Sequence, residues 1–193
     1  MWKGALMLAS RRALAESLPH IDQTEQLIPK LSPAGRKYHT QRIVLGRWYP
    51  ERPTEEILEA AAELAGQPLE EFCFEVGQRS MARQQSRIGQ SLLQVLVTPQ
   101  MVARYANQQW QKLRTSGALA TELSDHSLRI ELRHWPGHTR AMCAANWGAF
   151  SYLWHHVRLA GGGSVRRSAC VGTGARACVF ELEVARTRDR PLP

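Results

Sequence analysis

The 193-residue sequence predicts an α+β fold, in which N-terminal helices precede a small antiparallel sheet with a long amphipathic helix and a C-terminal β-hairpin. Apolar residues recur at helical spacing between positions 54 and 113. The helical spacing then gives way to alternation. Leu128, Ile130 and Leu132 alternate with charged residues, which is typical of a strand with one solvent-facing side. Two short apolar runs after the glycines at 161–163 indicate a hairpin.

The first part of the chain lacks sustained periodicity and contains five prolines before Thr54. We therefore expect an irregular N-terminal arm over residues 1–44, with one short helix near its start. A ligand-binding-type α+β domain is expected over residues 45–185, beginning near a brief strand within "RIVLGRWY". Residues 186–193 end in "RPLP" and are expected to form a flexible tail.

Helix boundaries before the sheet are marked by capping residues and prolines. Thr54 is expected to cap a first helix that ends at Gly66, and Pro68 to open a second. Thr98 and the proline after it start a third helix. One face of this third helix is predicted to carry Val102, Tyr105, Ala106, Trp110 and Leu113.

A fourth helix is predicted from about residue 139 to 159, with Cys143, Trp147, Phe150, Trp154 and Val157 on its apolar face. Two strands, at 165–171 and 177–184, should follow it and pair through a turn around the glycine at position 174.

Three of the four cysteines are predicted to converge. A three-residue hairpin loop would place Cys170 directly opposite Cys178, and Cys143 lies on the helix face that should pack against this hairpin. These thiols could be small apolar residues of the core, ligands of a metal ion or a disulfide pair, and the spacing alone leaves all three open. The candidates for a fourth metal ligand, by proximity, are His138, His155, His156 and Glu181.

The segment that starts at "MCAANWGAF" and ends at "CVFELEV" resembles the C-terminal part of the 4-vinyl reductase-type ligand-binding domain, which precedes phenol- and toluene-sensing transcriptional activators. In that family three cysteines and a glutamate hold zinc beside an aromatic-binding pocket. Cys143, Cys170 and Cys178 match the three cysteines, so the resemblance implies zinc as a cofactor. Arg167 stands where the glutamate is expected, and a cation cannot ligate a metal.

Residues 45–185 also resemble a myxobacterial paralogous family of uncharacterised proteins, through "WYPERPTEEILEAAAELAG", "EVGQRSMARQQSRIGQ" and the same C-x7-C hairpin. Related folds include nitric-oxide-sensing haem domains and Golgi transport-particle subunits. The tyrosine-x-serine-x-arginine motif of those haem sensors is absent from the sequence, so no haem is expected.

No catalytic activity is expected, because the sequence contains no G-x-S-x-G, H-E-x-x-H or Walker motif. The resemblance implies a regulatory or sensory domain that binds a small apolar ligand or a protein partner. The expected pocket walls are Tyr105, Trp110, Trp147 and Phe150.

Two alternatives stay open. The net charge of +8 permits a nucleic-acid-binding regulatory protein. A structural protein-interaction module is the other, since related folds assemble through helical faces. The strand arginines Arg129, Arg133, Arg166 and Arg167 favour the first, but no helix-turn-helix or zinc-finger pattern accompanies them. A homodimer is one arrangement to test. No apolar run is long enough to span a bilayer, and four sparse cysteines favour a reduced, cytoplasmic protein without membrane contacts.

Overall fold

The structure is a computed structural model that describes residues 1–84, 97–157 and 163–183, and it confirms the α+β fold class. The α-helices in these ranges are α1 (Gly4–Ser17), α2 (Pro33–Thr40), α3 (Arg52–Ala65), α4 (Leu69–Gln84), α5 (Pro99–Leu113) and α6 (Arg140–His155). The strands are β1 (Trp2–Lys3), β2 (Trp48–Tyr49), β3 (Ala118–Leu123), β4 (Ser127–Arg133), β5 (Val165–Ala169) and β6 (Cys178–Glu183). Among the described residues, no helix combines the length and hydropathy needed to cross a bilayer.

Residues 1–44 do not form an irregular arm, which corrects the expectation from the sequence. Helix α1 packs against α4 and buries Leu6 and Leu14, so this region belongs to the core. Ser32 caps α2 by accepting a hydrogen bond from the Gly35 N–H at 3.1 Å. Pro33 lies in the first turn of α2. Backbone N–H groups in the first turn have no intrahelical acceptor, so a proline there costs the helix no hydrogen bond. This proline is therefore compatible with a helix. The expected tail at 186–193 lies outside the described residues.

The later helix boundaries follow the capping signals of the sequence. The hydroxyl of Thr98 accepts a hydrogen bond from the Met101 N–H at the start of α5, and Thr139 does the same for Met142 at the start of α6. Gly66 ends α3 in the left-handed region at φ +63°, where glycine carries no steric penalty. Helix α3 begins at Arg52, two residues before the expected cap at Thr54.

Helices α4 and α6 approach so closely that only glycine fits at two crossing points. A Cβ atom on Gly77 would lie 2.0 Å from the carbonyl oxygen of Ala145. A Cβ atom on Gly148 would lie 1.9 Å from the carbonyl oxygen of Phe74. The missing side chains therefore let the two helices pack backbone against backbone.

The larger sheet is antiparallel with the strand order β3-β4-β6-β5. Its register pairs Leu128 with Leu182, Ile130 with Phe180 and Leu132 with Cys178. These six side chains are at most 2% exposed, so the alternation predicted for β4 correctly identifies the inner face.

The C-terminal hairpin forms, but its loop is longer than predicted. Strand β5 ends at Ala169 after an irregularity between Arg167 and Ala169. A 3-10 turn, Val171–Thr173, and Gly174 at φ +92° then replace the expected three-residue loop. Cys170 still lies beside Cys178, because the pairing of Ala169 with Val179 brings the next residues together.

Candidate functional site

A large apolar cavity of about 490 Å³ lies between the helices and the inner face of the larger sheet. Helices α1, α3, α4, α5 and α6 contribute to its walls, and Leu119, Ile130 and Leu182 contribute from the strands. This volume lies within the range of about 300–1,000 Å³ that is typical of small-molecule sites. The cavity is therefore the candidate ligand site of the described structure.

Three of the four aromatic residues predicted to form the pocket line this cavity. Trp110 is buried in its wall, Phe150 lines it from α6, and Tyr105 lies at its edge with 41% of its surface exposed. Trp147 does not line the cavity. Its indole N–H instead donates a hydrogen bond to the Val165 carbonyl at 2.8 Å, which ties α6 to β5.

A buried arginine, Arg114, borders the cavity at the end of α5 and was not identified from the sequence. Its Nη2 donates a hydrogen bond to Asn146 Oδ1 at 2.7 Å. Its guanidinium carbon lies 4.1, 4.8 and 5.3 Å from the ring centres of Trp110, Trp2 and Trp135. Burial lowers the pKa of Arg114 to about 10, although the charge of Glu51 raises it.

His39 is a second polar group in the cavity wall that sequence reasoning missed. It lies on α2 with 8% of its surface exposed, and its Nε2 is 3.2 Å from Gln23 Oε1. Burial, together with the positive charge of Arg11, lowers the pKa of His39. The imidazole is therefore neutral at pH 7 and retains a nitrogen lone pair.

The three predicted cysteines converge, as the sequence indicated. The Sγ atoms of Cys143 and Cys178 are 3.3 Å apart, and those of Cys178 and Cys170 are 3.9 Å apart. The Nε2 atom of His138 lies 3.5 Å from Cys170 Sγ. The four donor atoms all lie within 4.8 Å of one another, and the three thiols are buried and form no disulfide.

The local electrostatics of this cysteine cluster favour one thiolate. The pKa of Cys178 is lowered because its sulfur accepts hydrogen bonds from Cys143 and from the Val171 N–H, which outweighs the effect of burial. The pKa of Cys143 is raised because it is the donor in that pair and is buried. Cys73 lies apart from the cluster, and burial raises its pKa to about 12.

Most of the strand arginines that favoured nucleic-acid binding are paired with carboxylates. Arg133 contacts Glu131 at 2.7 Å, Arg166 contacts Glu181, and Arg167 contacts Glu70. The charge of this face is thus largely compensated, which weakens the case for a phosphate-binding surface.

Comparison with known proteins places the fold among the H-NOX domains. No family model matches the sequence, and no curated protein matches it. An H-NOX protein from S. oneidensis in its Fe(II) ligation state is similar over 94% of this chain and 95% of its own, with a TM-score of 0.68 at 14% identity. An oxygen-binding H-NOX domain related to soluble guanylate cyclases is similar over 94% of both chains, with a TM-score of 0.63 at 13% identity.

These likenesses correct two expectations. The proposed resemblance to the 4-vinyl reductase-type domain and to the myxobacterial family is wrong, because the solved structures that share the fold are H-NOX domains. The exclusion of haem is wrong as well. One of these structures comes from work on haem redox potential and porphyrin distortion, and it matches over 95% of each chain with a TM-score of 0.62 at 14% identity. Zinc receives no support from the comparisons.

Proposed function

We propose that this chain is a non-catalytic sensory domain that binds its ligand in the central apolar cavity. The observation that supports this most strongly is the cavity itself, about 490 Å³ of largely apolar space whose buried polar wall residues include His39 and Arg114. Apolar walls exclude water and strengthen the contacts of a ligand with these groups. The H-NOX structures that share the fold support a sensory role.

A haem fits the residues of this cavity, and we propose it as the first candidate ligand. Haem iron commonly takes an imidazole as its protein ligand, and His39 offers a buried, neutral imidazole beside the cavity. Gln23, which contacts the Nε2 of His39, would orient the ring. Haem, when bound, supplies an iron that binds small gases. Arg114 provides a cation that haem carboxylates require in an apolar site.

Titration of the purified protein with hemin tests this candidate. We expect about one haem per chain and the absorption bands of ligated haem. His39→Ala should weaken binding at least about tenfold and change the bands, because it removes the iron ligand. His126→Ala, an exposed histidine in the turn between β3 and β4, is the matched control. Identical spectra and affinities for the two variants would contradict the role of His39.

We also propose that the cysteine cluster binds a thiophilic metal ion through Cys143, Cys170 and Cys178, with His138 as the fourth donor. The support is geometric: the four donor atoms already lie within 4.8 Å of one another, close to the spacing of ligands around one ion. Three sulfurs and one imidazole nitrogen favour a soft ion in tetrahedral coordination.

Cobalt(II) is the probe for this metal site, because its spectrum reports thiolate coordination. We expect thiolate-to-metal absorption bands that saturate at one ion per chain. Cys178→Ser should reduce the affinity at least about tenfold, since it removes a ligand. Cys73→Ser is the matched control, a buried cysteine away from the cluster. Absence of thiolate bands, or an equal loss in the Cys73→Ser variant, would contradict the site.

A further inference from the structure

Two neighbouring hydrogen-bond donors in the cavity wall are buried without an acceptor among the described residues. They are the indole Nε1 of Trp2 and the Nη1 of Arg114. Trp2 is 4% exposed and Arg114 is 7% exposed, and both line the cavity. The guanidinium carbon of Arg114 lies 4.8 Å from the ring centre of Trp2, and the two backbones form a β-bridge.

The other contacts of Arg114 leave its positive charge without a directly bonded carboxylate in the described structure. Its Nη2 bonds the neutral amide of Asn146, and three tryptophan rings surround the group. The nearby carboxylate of Glu51 forms its hydrogen bonds elsewhere, with the Met1 nitrogen at 2.9 Å and with Trp135 Nε1 at 2.7 Å. A buried cation without a directly bonded anion is costly, and buried donors without acceptors add to that cost.

A second arginine in the same cavity wall does not share this condition. Arg11 also lines the cavity, but its Nη1 donates to the Gln41 carbonyl at 3.0 Å and its Nη2 to the Tyr38 carbonyl at 2.7 Å. Its guanidinium is therefore already bonded by the protein at both ends.

We propose that the cavity ligand carries a carboxylate on an apolar body, and that this carboxylate accepts hydrogen bonds from Trp2 Nε1 and Arg114 Nη1. Two donors match the two oxygens of a carboxylate, and a cation with an anion in an apolar site forms a strong charge-assisted bond. The apolar remainder of the cavity fits the body of such a molecule. The inference rests on the proposed function, and it applies equally to a haem propionate and to a fatty-acid carboxylate.

The test compares a carboxylate with its neutral counterpart. Dodecanoate and dodecanol are titrated by calorimetry into the wild-type protein and into Arg114→Gln, Trp2→Phe and Arg133→Gln. We expect Arg114→Gln to raise the ratio of the dodecanoate Kd to the dodecanol Kd at least about tenfold. Trp2→Phe, which keeps a ring but loses the N–H, should raise it several-fold, roughly as one hydrogen bond requires. Arg133→Gln, an exposed arginine of β4 that does not line the cavity, should leave the ratio unchanged.

Hemin and its dimethyl ester, whose propionates are neutral, form a second arm. If the variants change the hemin-to-ester ratio, the carboxylate belongs to a haem, and if they change only the dodecanoate-to-dodecanol ratio, it belongs to a fatty acid. Dodecanol binding by Arg114→Gln shows that the cavity is intact in that variant. Unchanged ratios in both arms with normal binding would overturn the carboxylate proposal alone. Failure of all four compounds to bind the wild type would overturn the proposed function itself.

Discussion

Replacing Ala106 by phenylalanine is expected to weaken ligand binding about a hundredfold or more while the protein stays folded. Ala106 lies on α5, is partly buried and lines the cavity, so an added ring occupies space that the ligand needs. A ligand held mainly by apolar contact loses most of its buried surface when the cavity is filled. Calorimetric titration with dodecanoate and with hemin measures the loss.

Ala103→Phe is the matched control for this substitution. Ala103 lies on the same helix and is also partly buried, but it does not line the cavity. It should cost some stability and leave the ligand affinity within a few-fold of the wild type. Equal affinities for the two variants would show that the ligand binds somewhere other than the cavity.

Gly148→Ala is expected to destabilise the protein by about 3 kcal/mol, against the usual trend for a helix interior. Alanine normally favours a helix over glycine by about 1 kcal/mol. Here the added Cβ atom would lie 1.9 Å from the carbonyl oxygen of Phe74, so α4 and α6 must move apart, and overpacking of this kind costs about 1–3 kcal/mol or more. Denaturant unfolding measures the change.

Gly46→Ala provides the control for the glycine substitution. A Cβ atom at Gly46 meets no atom within 4 Å, so its free energy of unfolding should stay within about 0.5 kcal/mol of the wild type. A Gly148→Ala variant as stable as Gly46→Ala would contradict the close helix crossing. Helices α4 and α6 both line the cavity. A change in the distance between them therefore also changes the shape of the cavity.

The helices and strands from residue 52 onward were largely predictable, because the features that indicate them, such as capping residues and apolar periodicity, are local in the sequence. The cap at Thr98 and the glycine at position 66 mark helix ends wherever the rest of the chain lies. The N-terminal region was not predictable in this way. Helix α1 is buried through small residues such as Ala9 and Ala13 as well as larger ones, which gives little contrast between its faces in the sequence.

The sequence predicted the part of the candidate site whose residues belong to one local element. It did not predict the part that forms where distant segments of the chain meet. Cys170 and Cys178 belong to one hairpin, so alternation and pairing indicated their proximity. Arg114 follows a helix and looks like a solvent-exposed residue in the sequence. Its burial depends on Trp2, Trp110 and Trp135, which come from well-separated parts of the chain and meet only in the folded protein.

The methionine methyl groups provide the most direct test of a ligand in the cavity. Of the five methionines, Met7, Met81, Met101 and Met142 line the cavity, whereas Met1 does not and is 50% exposed. The protein is labelled with carbon-13 at these methyls and titrated with dodecanoate or, in a second sample, with hemin. We expect the buried Met7 and Met142 signals to shift with dodecanoate or to broaden beside the haem iron, while Met1 stays unchanged. Saturable binding that leaves Met7 and Met142 unperturbed, or that perturbs Met1 instead, would contradict the account.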